Sequence, residues 1–137
     1  MNYFEDLTKA FNGPLKTFGD ANGINVCFEN IECPTSTDTP FLSGFMLNAP
    51  VVQADLGVSE FRSGIYQIDI NYAEDMGSAP LNRMADLINQ SFKTGQYLTR
   101  NDVCIGIESV SLERLVVGGG WATRSMSIVW NSYTARL

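Results

Sequence analysis

Between residues 66 and 72 apolar and polar positions alternate strictly. Tyr66, Ile68, Ile70 and Tyr72 fall on one face, and Gln67, Asp69 and Asn71 on the other. That is the pattern of a β-strand with one buried and one wet face, and it predicts a long strand over residues 60–72. Similar runs predict strands at 24–28, at 41–47 with Phe41, Phe45 and Leu47 on one side, at 102–108 with Val103, Ile105 and Ile107 inward, and at 121–133, where Met126, Ile128 and Trp130 alternate. Gly44, in the middle of the second of these, predicts a bulge. Elsewhere the period lengthens to that of a helix. Phe4, Leu7, Phe11, Leu15 and Phe18 form one apolar stripe over residues 3–18. Gly13-Pro14 interrupts it and predicts a kink, or two short helices with Asn12 capping the second. Gly19 through Gly23 ends the element. Leu81, Met84, Ala85, Ile88 and Phe92 form a second stripe, with Ser78 as its N-cap, Pro80 in its first turn and Gly95 as its stop.

The intervening segments are turn-rich. Residues 29–39 read as a polar loop. Residues 48–58, opened by Asn48-Ala49-Pro50, read as a β-arm or an extended loop at an edge. Residues 110–120 read as a loop in which Leu112, Leu115, Val116 and Val117 ask for cover and Gly118-Gly119-Gly120 permit movement. Consecutive strands joined by short turns favour antiparallel pairing with a helix on one face. The expectation is one α+β domain over residues 1–137, a mainly antiparallel sheet of about five strands with two helices.

Composition fits that picture: 137 residues, 45% hydrophobic and 18% charged, make a single globular domain able to hold a core. No apolar run reaches the roughly 20 residues of a membrane span. Met1 to Asp6 lack the basic stretch and apolar core of a signal peptide, so a cytoplasmic protein is expected. Three cysteines, Cys27, Cys33 and Cys104, argue by their odd count and irregular spacing against a disulfide framework. Cys104 is expected to be a small buried residue in its strand. With no histidine in the chain, Cys27 and Cys33 fall short of a zinc set, and no cofactor or metal is expected.

Charge is uneven. Between Lys16 and Arg62 lie six acids (Asp20, Glu29, Glu32, Asp38, Asp55, Glu60) and no base, which accounts for the whole net charge of −6. Phosphate contacts need the opposite sign, so nucleic-acid binding is disfavoured. The excess reads as a solvating surface, as a patch for a basic partner, or as a wall from which DNA is repelled.

Reactive machinery is sparse. Without histidine there is no Ser-His or Cys-His pair. Glu74-Asp75, beside Met76-Gly77, read as turn residues ahead of an acid–base pair. No Lys and no helix follow Gly118-Gly119-Gly120, so these glycines make a hinge or tight turn, not a phosphate loop. Trp130 reads as core, and Trp121 as either a packed strand start or an exposed contact. Arg62, Arg114 and Arg124 read as solvated or locally paired charges, although arginine is enriched at interfaces. Enzyme readings lack machinery and interaction readings remain.

The wording of residues 38–133 resembles the phage tail-terminator-like family of long-tailed bacteriophages. The resemblance lies in Asp38-Thr39-Pro40-Phe41-Leu42, Gln53-Ala54-Asp55-Leu56-Gly57, the run Arg62 to Ile70, Ala85-Asp86-Leu87, Phe92-Lys93-Thr94-Gly95, Gly120-Trp121 and Ser127-Ile128-Val129-Trp130, in that order. The N-terminal helix matches in kind, with Gly13-Pro14 atypical. The resemblance implies a tail-terminator-like α+β fold without enzymatic activity. It implies a six-fold homo-oligomeric ring that caps the finished tail tube, stops its polymerisation and offers a surface to the head. The partners implied are further copies of the chain, the tail-tube protein and a head-neck connector, with DNA passing through unbound and no membrane. The location implied is the head-proximal end of the virion tail, reached from the host cytoplasm.

A head-to-tail contact closes a ring when its rotation fits. Candidate subunit-contact residues are Val51, Val52 and Leu56 of the arm, with Arg62 and Arg124 set to pair with a neighbour's acidic segment. Candidate tube-docking residues are Arg114, Leu115, Val116, Gly119 and Trp121. The alternatives are a head-completion or neck protein, a tail-tube subunit, or a host-encoded binding domain.

Overall fold

The computed structural model describes residues 3–29, 39–48, 52–53, 59–101 and 103–135. In chain order the elements are α1 (Tyr3–Asn22), β1 (Asn25–Phe28), β2 (Phe41–Asn48), β3 (Val52–Gln53), β4 (Ser59–Ala73), α2 (Ala79–Ser91), β5 (Tyr97–Arg100), β6 (Val103–Leu112), β7 (Val116–Gly118) and β8 (Trp121–Ala135). The alternating run becomes β4, which pairs antiparallel with β8 along its whole length, from Ser59↔Ala135 to Ala73↔Trp121. This ladder is the spine of the sheet.

The eight strands run in the order β1-β2-β4-β8-β6-β5, with β3 beside β4 and β7 beside β8. Two expectations are corrected. The sheet has more strands than five, and it is mixed, because β1 pairs parallel with β2 while the other pairs are antiparallel. The additional strands are short. β5 folds onto β6 through a tight turn that opens with Asn101 in the left-handed region, φ 51°.

Both helices cover one face of the sheet. Leu7, Phe11, Leu15 and Phe18 of α1 and Leu81, Met84, Ala85 and Ile88 of α2 are buried with Tyr66, Ile68, Ile70, Ile105, Ile107, Met126, Ile128 and Trp130. Phe11 sits at the centre. Its ring stacks on Tyr66 at 4.6 Å and lies 6.4 Å from Trp130. Burial of this stripe explains why α1 is one continuous helix of 20 residues despite Pro14, where a break into two short helices was an expected alternative. Helices in proteins are held chiefly by such packing, which here outweighs one missing N–H donor. α1 ends in a Schellman arrangement, with Gly23 at φ 67° and the Ile24 N–H donating to Gly19 O at 3.0 Å.

Phe41, Phe45 and Leu47 share one side of β2 as expected, and that side faces away from the helices, with Leu47 half exposed, while Leu42, Gly44 and Met46 face them. Two local expectations change. Gly44 marks no bulge, since the β2–β4 register is unbroken. Glycine is needed there for space: a Cβ would collide with the Tyr66 hydroxyl and approach Leu15 Cδ2 to 3.0 Å. The irregularity falls in β6 instead, between Ile107 and Ser109. Ser78 occupies the N-cap of α2 without a side-chain cap bond, and the helix closes at Phe92, whose N–H donates to Ile88 O at 2.9 Å. Gly95 (φ 86°) serves the following turn and donates to Ile107 O. The cysteine expectations also change. Cys27 is disulfide-bonded. Cys104 is free and exposed, because it alternates outward between Val103 and Ile105.

The fully buried Tyr66 donates its hydroxyl proton to Asn12 Oδ1 at 2.5 Å, so Asn12 is a core acceptor inside α1 and caps no second helix. Burial, reinforced by the Glu29 carboxylate, pushes the phenol well above its ordinary value of 10.0. A raised folded-state value contributes stability that is complete below the unfolded value and is lost as pH rises past it. Unfolding free energy is therefore expected to fall above pH 10.0, with Tyr66 contributing up to about 1.4 kcal/mol per pH unit. Tyr66→Phe should make that decline shallower in urea titrations. An unchanged slope would mean that Tyr66 ionises within the fold.

Candidate functional site

The β4–β8 ladder is about 50 Å long at the usual rise per residue, and each end carries a short extra strand. At one end β3 continues the line of β2, with Val52 opposite Phe61 and Gln53 opposite Glu60. At the other, β7 continues the line of β6 and forms a hairpin with β8, pairing Val116↔Thr123, Val117↔Ala122 and Gly118↔Trp121. Gly119 and Gly120 make the connecting turn at φ 62° and 86°. Positive φ at both central residues is what a type I′ hairpin requires, and glycine meets it without strain. The expected loop at 110–120 is thus largely strand, and two of its three glycines form a turn.

The hairpin exposes apolar groups on both faces. Val116 is 55% exposed and, across the pleat, Val117 is 58% exposed, with Leu112 and Leu115 partly exposed at the base. The base is anchored from within. Arg124 donates through Nε to Glu113 O at 2.9 Å and through Nη1 to Asn82 Oδ1 at 2.7 Å, tying the strand to α2. Trp121 meets the ring of Phe41 edge-on at 5.0 Å. Val116, Gly119 and Trp121 therefore share the hairpin, and Arg114 and Leu115 stand just ahead of it.

Among the described residues the subunit-contact candidates do not gather. Val51 and Leu56 lie outside the described residues. Val52 stands in β3. Arg62 is 6% exposed, with its guanidinium 5.6 Å from the centre of the Phe4 ring. Arg124 lies near the other end of the ladder. Both arginines are engaged within the chain.

The helix-free face carries the polar residues expected on the wet side of β4, but the cleft beside them was not foreseen. Asp69 Oδ1 accepts from Ser125 Oγ at 2.7 Å and from Gln67 Nε2 at 2.8 Å, and Asn71 Oδ1 accepts from Thr123 Oγ1 at 2.7 Å. Beside this polar ladder is a cleft of about 300 Å³ lined by Glu29, Phe45, Met46, Leu47, Gln67 and Asp69. The signal for it was the apolar parity of Phe45 and Leu47, opposite to that of Leu42 and Met46. Among the described residues no group of three or more His, Cys, Asp or Glu side chains could hold a metal ion. Nor is any helix among them long and apolar enough to cross a membrane.

The described surfaces are thus an exposed apolar hairpin and a cleft of mixed polarity. A profile of the family described as phage tail terminator protein matches residues 6–130, and the chain belongs to that family. The family is structural, which makes this a structural protein of the phage virion tail. No curated protein matches the chain. Among 12 solved chains that match, one aligns with a TM-score of 0.77 and 14% sequence identity over 93% of this chain and 94% of its own, a likeness of fold.

Proposed function

We propose that copies of the chain close a six-fold ring on the head-proximal end of the tail tube, stop tube polymerisation and offer a joining surface to the head-neck connector. The observation that carries this reading is the β7–β8 hairpin, which holds Val116 and Val117 in water on opposite faces. Apolar groups displayed in this way on a rigid two-residue turn mark a docking element. Arg114, Leu115, Val116, the Gly119 turn and Trp121 meet the tube. Val51, Val52 and Leu56 meet a neighbouring copy. Arg62 and Arg124 support these surfaces from within. The acidic excess suits a ring through which DNA passes unbound. Assembly takes place in the host cytoplasm.

The test is the light-scattering mass of the full chain, alone and mixed with its tail-tube protein, with tube length followed by electron microscopy. A closed ring in either sample, with tube growth halted, is the expected result. A chain that neither assembles nor affects tube growth would overturn the reading, and filaments of the chain alone would assign it to the tube.

A further inference from the structure

Among the described residues the two edges of the sheet are open and matched in length. β2 has eight residues, but β1 covers only its first four, through the register Asn25↔Phe41 to Phe28↔Gly44. Among the described residues, 45–48 have β4 on one side and no strand on the other. At the opposite edge β5, four residues long, pairs with β6 alone. Unpaired edge groups are a template for another strand. One of them is held in reserve: the Met46 N–H donates to Glu29 Oε1 at 2.8 Å, a position a partner strand would take.

The surroundings of the two edges are complementary. The cleft beside the open half of β2 combines the apolar sides of Phe45 and Leu47 with the carboxylates of Glu29 and Asp69. Carboxylates only accept hydrogen bonds, and both bonds to Asp69 from Gln67 and Ser125 fall on Oδ1. β5 presents Tyr97, 74% exposed, with a hydroxyl able to donate. Lys93 and Arg100, both exposed, flank it, whereas no base lies between Lys16 and Arg62. Tyr97 is registered with Gly106, and Gly106 with Asn131, on the helix-free face that Phe45 and Leu47 also occupy.

The geometry points to a second copy of this chain as the occupant of the cleft. β5 of one copy adds to residues 45–48 of the next, displaces the Glu29 carboxylate from the Met46 N–H, and seats Tyr97 against Phe45 and Leu47 with its hydroxyl toward Glu29 and Asp69. This is strand addition, in which main-chain bonds supply affinity and a side-chain pocket supplies specificity. The two edges lie on opposite sides of one sheet, so the contact runs head to tail and repeats around a ring. The inference rests on the ring reading and names the partner of its subunit contact.

The test uses the full chain carrying Cys104→Ser, Tyr97→Cys and Leu47→Cys, mixed with tube protein and oxidised. Expected is a reductant-sensitive ladder of covalent species ending at the copy number of the ring, whereas variants with only one introduced cysteine stop at dimers. Tyr97→Ala should raise the concentration for half-assembly at least tenfold without moving the melting temperature, and Tyr97→Phe should retain most of the assembly. A ring of unchanged mass that neither cross-links nor responds to Tyr97→Ala removes this contact and leaves the ring reading standing. Cross-links from position 97 to the tube protein would also overturn it, by assigning the edge to the tube. A wild-type chain that forms no oligomer, even on tubes, would remove the ring reading and this contact together.

Discussion

Val116→Glu combined with Val117→Glu is expected to abolish tail capping while leaving the domain folded. Both side chains are more than half exposed, and neither belongs to the core packed between helices and sheet. Exposed substitutions usually shift stability by no more than about 0.5 kcal/mol, and the loss of β-propensity in a three-residue strand adds at most about 1 kcal/mol. The Gly119-Gly120 turn and the anchoring of Arg124 to Glu113 and Asn82 are untouched, so the hairpin keeps its shape. At a desolvated contact the same change is severe. Each position loses its apolar burial and carries a charge into a site without a partner, at about 2 kcal/mol or more apiece. Together that is roughly a thousandfold in affinity for the tube. Thermal melting by circular dichroism checks the fold, and tube length in the presence of the variant checks capping. Tubes that stop at their normal length would move docking to another surface.

The same hairpin shows where the sequence stopped being legible. Val116 and Val117 point to opposite faces and both meet water, so no period separates an inside from an outside, and the run reads as a loop. β5 hides for a similar reason: four residues offer one inward side chain, Leu98, and no alternation to detect. β4, by contrast, was readable because Tyr66, Ile68 and Ile70 are buried in succession against the helices. The helical stripes were readable on the same ground. On β2 hydrophobicity grouped Phe41, Phe45 and Leu47 on one side but did not mark that side as the outer one. The larger apolar side chains sit outward, and Gly44 sits inward because Tyr66 already fills that space. Arg62 illustrates a signal that was present and unused. It shares the parity of Tyr66 and Ile68, which places it on the helix side and buries it beneath Phe4. No local pattern records the parallel pairing of β1 with β2. Composition drew attention to the hairpin residues, whereas the cleft at Glu29 and Asp69 joins segments forty residues apart and becomes visible only once β2 lies beside β4.

Trp130 is the position where the largest loss of stability is expected, and where two substitutions should separate sharply. Its side chain is fully buried beside Phe11, and Gly64 across the ladder leaves it room, since a Cβ at 64 would come within 2.8 Å of Trp130 Cζ2. Trp130→Ala removes that whole ring from a packed core and should cost about 3–5 kcal/mol. Against a typical total of about 5–15 kcal/mol, much of the stability would go. Trp130→Phe tells a different story. The indole Nε1–H is buried without a hydrogen-bond partner among the described residues, and an unmet buried donor costs about 1–3 kcal/mol. Phenylalanine gives up some apolar contact but removes that penalty, so a net loss of about 1 kcal/mol or less is expected. Urea unfolding of the two variants tests this directly. If phenylalanine were as damaging as alanine, the site would need the full indole, which the smaller ring cannot replace, and relief of the unmet N–H would not be offsetting the loss. The position also couples stability to assembly, because Trp130 lies within the ladder that holds the β3 and β7 ends at a fixed distance. A Phe variant that keeps this ladder should still cap tubes. An Ala variant should lose capping in proportion to its unfolded fraction, without any contact to the tube having been altered.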